Sequence, residues 1–564
     1  MQVDYYKAWI EQIEPGLQSP VLTEQMLTFS ILMPVYRAEI THLDAAIKSL
    51  REQSYERWEL CLYDDASESP ELIEAMQSWQ KSEPRIRLAL GKENLGIAEA
   101  TNQCRAMAKG DYLVLMDQDD LLPPHALNEV ASAIASNPNA GLIYSDEDKL
   151  DECGQRHAPH FKPDYNRTLL LSQNYICHLL TLRRELFDQI NGLRGGYDGA
   201  QDHDLILRAV AQLQPEQILH IPQILYHWRV HASSTASSLD AKPEALEAGR
   251  KVIADHLVKK QRPAQVSLAQ IRYRVSYDVA PEPDVTIIIP TRNGIATLKR
   301  CINSIRDKTA YENYQIVVVD NGSDDFSTLN YLKALSAEGI KIIVENSPFN
   351  FSQLNNIAVA ASQSELVCLL NDDTEVIEGN WLTVMVGEIL APEVGAVGAK
   401  LLYDNDTVQH GGVILGIGGV AGHAHKHFSR DADGYFSRLQ CTQNLSAVTA
   451  ACMLVKREVW QAVGGMTEQL AVAFNDVDLC LKITQSGWEI VWTPWAELYH
   501  HESISRGYET TPEKQARFRT EEAYMHEVWR AHLEHDPFYN PHLTRSDESF
   551  YLKSPSEYQD SDYT

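Results

Sequence analysis

The sequence predicts an α/β protein in which one pattern of buried strands and amphipathic helices is written twice along the chain. Two observations carry this: apolar runs that each stop at a polar residue, and an almost constant spacing between matching runs. FSILMPVYR, ending at Arg37, and VTIIIPTRN, ending at Asn293, are strand-like and set Pro34 and Pro290 256 residues apart. ELCLYDDAS and QIVVVDNGS repeat that spacing at Asp64 and Asp320. NLGIAEATN and PFNFSQLNN put Asn102 and Asn356 254 apart, and DYLVLMDQDD and ELVCLLNDDT do the same for Asp119 and Asp373. Four segments in one order at nearly one offset define a repeat.

Between the runs, HLDAAIKSLREQ and LKRCINSIRDKT have the periodicity of amphipathic helices. Strands alternating with helices form βαβ units, hence a mainly parallel sheet covered on both faces. Such sheets bind ligands outside the carboxyl ends of their strands, so the strand-end residues should converge on one cleft per copy. A single strand-end aspartate is equally an ordinary turn residue; the set is not. The later halves match more loosely: GAQDHDLILR and AFNDVDLCLK set Asp202 and Asp476 274 apart, and ILYHWRVHASST matches ELYHHESISRG. The second copy has thus gained about 20 residues, most simply around QHGGVILGIGGVAGHAHKHF.

The expected division is an N-terminal helical arm over 1–27, a first copy over 28–236, a linker over 237–282, a second copy over 283–508 and a tail over 509–564. In the linker KPEALEAGRKVIADHLVKK reads as a helix and RVSYDVAPEPD as a proline-bearing connection. In the tail EKQARFRTEEAYMHEVWRAHLEH reads as a helix, followed by a turn-rich end.

At 564 residues the chain exceeds one ordinary core. Its 49 basic and 78 acidic residues leave a formal charge of −29. That charge repels phosphate backbones and anionic headgroups, so no nucleic-acid partner is expected. No apolar run approaches the roughly 20 residues that span a bilayer, and MQVDYYKAWIEQIEPGL lacks the order of a signal peptide. Nine scattered cysteines without a CxxC pair fit the reduced thiols of a cytoplasmic protein better than a disulfide or zinc framework.

Asp117, Gln118 and Asp119 leave a strand end, where the first and third side chains can share one divalent cation. Hard oxygen ligands suit Mg²⁺ or Mn²⁺, which also takes oxygens from a substrate diphosphate. The second copy reads Asn371, Asp372, Asp373, with an amide in first place. Asp202 and Asp476 open D-x-D-L-x-x-[RK] segments that resemble helix starts. There the helix dipole favours a capping carboxylate. The same carboxylate can act as general base toward an acceptor hydroxyl, the reading favoured because both copies keep it. Asp204 and Asp478 read as structural partners of Arg208 and Lys482. His231 and His501, ahead of serine-rich turns, either complete the metal site, contact the diphosphate or are ordinary surface histidines. His423, His425 and His427 alternate as on a strand, which places them on one face. With no Cys or carboxylate partner in that segment, an acceptor-contacting loop is preferred to a zinc site.

Assembled, these segments resemble family 2 glycosyltransferases of the GT-A fold, twice over. The markers are the proline-ended first strand, YDDAS and VDNGS, MDQDD and LNDDT, and the late QDHD and NDVD. The second copy is the closer match: PFNFSQLNN, SAVTAACMLVKREVW and ELYHHESISRG are similar to tandem enzymes of O-antigen and capsule assembly, often labelled rhamnosyltransferases. The resemblance implies two tandem, Rossmann-like nucleotide-sugar-binding domains with a helical linker and tail. It implies that Pro34, Tyr36, Asp64, Asp65, Asn102 and Asp117 bind the donor in the first copy. Pro290, Arg292, Asp320, Asn321, Asn356, Asn371 and Asp372 do so in the second. Asp119 with His231, and Asp373 with His501, would hold Mn²⁺ or Mg²⁺, and Asp202 and Asp476 would be the catalytic bases. Asn321 and Asn371 depart from the family's aspartates, which bears on metal affinity in the second site.

The expected activity is inverting, metal-dependent transfer from a UDP- or dTDP-linked sugar to a saccharide or lipid-linked saccharide acceptor of a growing bacterial surface polysaccharide. Two active sites are expected, in the cytoplasm, with at most peripheral contact at the inner face of the plasma membrane. One acceptor-facing carboxylate per site suits transfer better than hydrolysis, which usually uses two flanking the bond. The alternatives are one catalytic copy beside a saccharide-binding copy, or a carbohydrate-binding scaffold without turnover.

Overall fold

Four parallel strands begin the first sheet of the computed structural model, which describes residues 2–22, 26–230, 243–501 and 511–560. They are β1 (Phe29–Val35), β2 (Trp58–Asp64), β3 (Ile86–Leu90) and β4 (Tyr112–Leu115), in the order β3-β2-β1-β4. Every residue of β2 is buried, as a strand covered on both faces requires. The helix Ile40–Arg51 supplies part of that cover through Leu43, Ala46, Ile47 and Leu50.

The other half of the sheet is mixed. Beyond β5 (Leu142–Leu150) and β6 (Arg156–His160), the strand β7 (Thr181–Arg183) runs antiparallel to both β4 and β5, while β8 (Ile218–Arg229) runs parallel to β5. The expectation of a mainly parallel sheet therefore describes the first half of each copy. The second sheet repeats the order: Lys341–Val344, Tyr314–Asp320, Val285–Thr291, Leu366–Leu370, Cys452–Lys456 and Val394–Leu402 are neighbours as β3, β2, β1, β4, β7 and β5 are.

The linker contains the helix Pro243–Lys259 and a hairpin, Ala264–Ala269 paired with Arg272–Tyr277. The first residues of the proline-bearing connection, RVSY, belong to this hairpin, and Val266 and Tyr273 are buried in the first copy's core, which holds the hairpin in place. Both copies meet directly. Asn166 Nδ2 donates to the Asn444 carbonyl and Asn444 N–H donates to Asn166 Oδ1, each at 2.9 Å, and Arg167 pairs with Glu489 at 2.7 Å. After the helix Pro512–Glu534 the tail returns to the first copy, where Asn540 donates to Asp146 and to the Lys162 carbonyl, both at 2.9 Å. All nine cysteines are unpaired. Among the described residues, no helix is long and apolar enough to cross a membrane.

Candidate active sites

The register brings the strand-end residues to one edge of each sheet. Val35 pairs with Asp64, and Thr291 with Asp320, as the last rungs of equivalent ladders. The ladder from β1 to β4 ends at Leu32, and its counterpart ends at Ile288. Pro34 and Pro290 follow those ends, where a missing N–H disrupts least, and the separating strands open a cleft. The middle residue of each acidic triplet clasps the first strand's tip. Gln118 exchanges hydrogen bonds with the Tyr36 backbone at 2.9 and 3.2 Å, and Asp372 accepts one from the Thr291 hydroxyl at 2.6 Å. Tyr36 and Arg292 are exposed at the rim.

Asp64 and Asp320 accept hydrogen bonds from the Ser67 and Ser323 N–H groups at 3.2 and 3.1 Å. Buried Asp65 accepts from the Leu95 and Gly96 N–H groups at 2.7 and 2.9 Å. Asn321 donates instead to the carbonyls of Glu345 and Ser347 at 3.0 and 2.9 Å. Asp64 Oδ1 and Asn321 Oδ1 remain buried acceptors without a hydrogen bond among the described residues. Asn102 and Asn356 have both amide ends occupied by the backbone, with Leu193 at 3.0 Å and Met466 at 2.9 Å. Both pin the fold in the same way, a role that the donor-binding expectation did not include.

The acids after β4 gather with a residue from another part of the chain. One ligand atom each of Asp117, Asp120 and His178 lie within 4.8 Å of one another. Asp120 rather than Asp119 enters this group. It is buried and accepts from Tyr226 Oη at 2.5 Å and Arg229 N–H at 2.7 Å, whereas the Asp119 carbonyl accepts from Arg229 Nε at 2.8 Å. The His178 ring stacks on Tyr226 with centroids 4.2 Å apart. Glu147 Oε2 lies 3.1 Å from His178 Nδ1 and 3.0 Å from Lys162 Nζ, and Lys162 also donates to the carbonyls of Ile176 and His178 at 2.6 Å.

The electrostatics follow from this packing. Burial opposes charge on Glu147, but Lys162 and His178 outweigh it and hold the carboxyl below its usual range. Burial also opposes charge on His178; Glu147, then Asp117 and Asp120, prevail and lift it to about 9. Burial, then Asp117 and Asp119, push Asp120 well up. Two carboxylates that disfavour each other's charge, beside an imidazole oriented from behind by a third, fit Mn²⁺ or Mg²⁺ as ligands. Asp202, second residue of the helix Gln201–Val210, accepts from Asn174 Nδ2 at 2.8 Å, and its charge raises the Asp117 carboxyl alongside burial and Asp119.

The second copy is built differently. Asn371 and Thr374 stand where Asp117 and Asp120 stand in the first, and Ala451 stands where His178 does, as the helix starts at Arg184 and Arg457 align them. Asp373 Oδ1 is buried without a hydrogen bond among the described residues and lies 3.2 Å from His500 Nε2. Asn371 Nδ2 lies 3.2 Å from the same nitrogen, and Gln409 Oε1 lies 2.7 Å from His500 Nδ1. His501, the expected ligand, turns instead to Asp404 and Glu375. Consecutive residues leaving a strand point to opposite faces, so only one of the two histidines can look into the site. His231 lies outside the described residues. Asp476, second residue of the helix Asn475–Gln485, accepts from the Ala450 N–H at 3.1 Å, while Asn371 N–H donates to the Ala451 carbonyl at 3.0 Å. One turn thereby ties helix start to strand end.

Two further expectations resolve. Asp204 pairs with Arg208 at 2.8 Å and Asp478 with Lys482 at 3.2 Å, as expected. The three alternating histidines do not share a face. The strand Ala421–His423 ends at the first, and His425 and His427 have φ of 56° and 66°, which breaks the alternation. His423 Nδ1 lies 2.7 Å from His410 Nδ1, His425 stacks on Phe550 and His427 on Tyr403.

Each copy thus gathers acids and histidines at its strand ends, with an aspartate in the first turn of a facing helix. The sequence profile of "Glycosyl transferase family 2" matches residues 30–190 and 286–464, together more than half of the chain. The chain belongs to that family, and each copy carries a match. It is 46% identical to an uncharacterised protein of Sinorhizobium fredii over 93% of this chain and 58% of that one. It is 36% identical to an O-antigen biosynthesis protein of Myxococcus xanthus over 96% of this chain and 42% of that one. The chain thus spans about half the length of the curated relatives it matches. Among solved structures, a mannosyltransferase of Pyrobaculum calidifontis in complex with GDP-Man and Mn²⁺ aligns at 18% identity, covering 50% of this chain and 74% of that one, with a TM-score of 0.33.

The grouping also brings in Asp120, His178, Glu147 and His500, none of them among the expected site residues. Asp120 and His500 adjoin Asp119 and His501 in the sequence, whereas His178 and Glu147 come from segments outside the repeated strand-end motifs.

Proposed function

We propose that the protein transfers sugars from UDP- or dTDP-linked donors to a saccharide or lipid-linked saccharide during assembly of a bacterial surface polysaccharide, at two sites, with inversion. The observation that carries this reading is the pairing, in both copies, of a strand-end acid group with an aspartate in the first turn of a facing helix: Asp202 beside Asp117, and Asp476 tied through Ala450 and Ala451 to Asn371. Asp202 and Asp476 draw the proton from the acceptor hydroxyl as it attacks the anomeric carbon. Asp117, Asp120 and His178, with Asp119 beside them, would hold the cation in the first copy, and Asp373 with His500 in the second. The imidazole in both sets would favour Mn²⁺ over Mg²⁺. When bound, such a cation would supply positive charge against the departing diphosphate. The protein works in the cytoplasm, at most peripherally at the inner membrane face, with no nucleic-acid partner.

Asp202→Asn and Asp476→Asn, assayed separately for product linkage by NMR, test the reading. Each is expected to lose one linkage by about 10²–10⁴ in rate. Full turnover in both variants would remove these aspartates as the bases, loss in only one would support a single catalytic copy, and no turnover even by the natural chain would support a carbohydrate-binding scaffold.

A further inference from the structure

A basin of about 360 Å³ opens on the seam between the linker hairpin and the second copy, lined by none of the residues assigned above. Its hairpin side is Arg274, whose guanidinium carbon stands 4.7 Å over the Trp495 ring. Among the described residues no acceptor or carboxylate pairs with that guanidinium, and burial alone acts on its charge. The two other cations of the basin already have a carboxylate partner, which they share: Glu497 pairs with Arg430 at 2.6 Å and with Lys400 at 3.2 Å. Glu378, Asn380 and Asp431 stand exposed on the rim.

The chemistry of this lining is selective. A guanidinium held over an indole is restrained on that side while its N–H groups stay available as donors. Three cations and three carboxylates leave the lining without net charge, so it attracts neither a bare anion nor a bare cation. What it offers is donors and acceptors side by side along an aromatic wall. Vicinal hydroxyls on a ring with an apolar face answer that arrangement, and the volume falls at the small end of the roughly 300–1,000 Å³ of ligand pockets. We infer that this basin binds one or two residues of a neutral saccharide chain, with Arg274 as the principal donor and Trp495 as the wall. It lies between the linker hairpin and the second copy, and its lining shares no residue with either reacting centre. The choice of a saccharide over another polyhydroxyl ligand rests on the transferase reading; the donor and acceptor balance of the basin does not.

The test applies the full chain, Arg274→Gln and Trp495→Ala to an array of neutral bacterial-surface oligosaccharides, without donor or cation, at low and high salt. The natural chain is expected to bind at least one oligosaccharide, each variant about tenfold more weakly, and salt is expected to change little because no net charge is involved. Equal signals from the natural chain and Arg274→Gln, including none from either, overturn the inference, as does binding that high salt abolishes. If Trp495→Ala does not fold, Arg274→Gln alone decides. Donor hydrolysis in the same preparations should be unchanged by either variant. Its absence from the natural chain sinks the transferase reading while the array still judges the basin.

Discussion

Asp65 and Asn321 occupy the same strand-end position in the two copies and hold their loops with opposite hydrogen-bond polarity. The loop around Asp65 turns two N–H groups inward, whereas the loop around Asn321 turns two carbonyls inward. A carboxylate only accepts and an amide nitrogen donates, so each side chain suits its own loop and not the other. In the sequence the asparagine reads as a departure from an acidic pattern. The folded loop makes it a matched change.

Exchanging the pair is therefore costly in either direction. Asn321→Asp sets a carboxylate against two carbonyls, and Asp65→Asn sets an amide against two N–H groups. Each should lower stability by about 1–3 kcal/mol in denaturant unfolding. A neutral outcome at position 321 would mean that the loop, not the side chain, sets its own shape.

Glu147→Gln tests the support behind His178. It keeps the shape but removes the charge that orients the ring, so Mn²⁺ affinity at the first site should fall about 10–100-fold. Calorimetric titration of the full chain should show one binding phase weakened and the other untouched. An unchanged titration would remove His178 from the ligand set.

Chelation should lower transfer on the order of 100-fold, with recovery on adding Mn²⁺. Undiminished product formation after exhaustive chelation would leave the acids without their proposed role.

Asp204 makes a prediction in pH. Burial opposes its charge, but Arg194 and Arg208 outweigh it and hold the carboxyl below its ordinary value. A depressed folded value contributes stability above the unfolded value near 3.9 and loses it as pH falls through the folded one. Asp204→Ala should cost about 3 kcal/mol at pH 7 by leaving Arg208 half-buried and unpaired. The variant's stability should also fall less steeply below about pH 4. An acid limb of natural slope would show that other carboxylates govern it.

Much of the fold was legible because strands buried on both faces read as largely apolar runs, and β2 and Val285–Thr291 are buried at every position. Pairing of Asp204 with Arg208 was legible because residues four apart on a helix are neighbours. The choice among Asp117, Asp119 and Asp120 was not, since the Asp120 carboxylate is fixed by contacts with Tyr226 and Arg229 more than a hundred residues away.

By itself, the sequence determined that one βαβ pattern recurs, that acids cluster where strands stop, and that an aspartate opens a helix in each copy. These are local consequences of periodicity and capping, which neighbours along the chain impose on one another. Only the tertiary structure decided that His178 completes the first acidic group, that His500 rather than His501 looks toward Asp373, and that Arg274 stands over Trp495 without an ion-pair partner among the described residues. Each of those depends on distances across the fold, and a side chain's charge and hydrogen-bond partners are set by whatever the packing brings within a few ångströms.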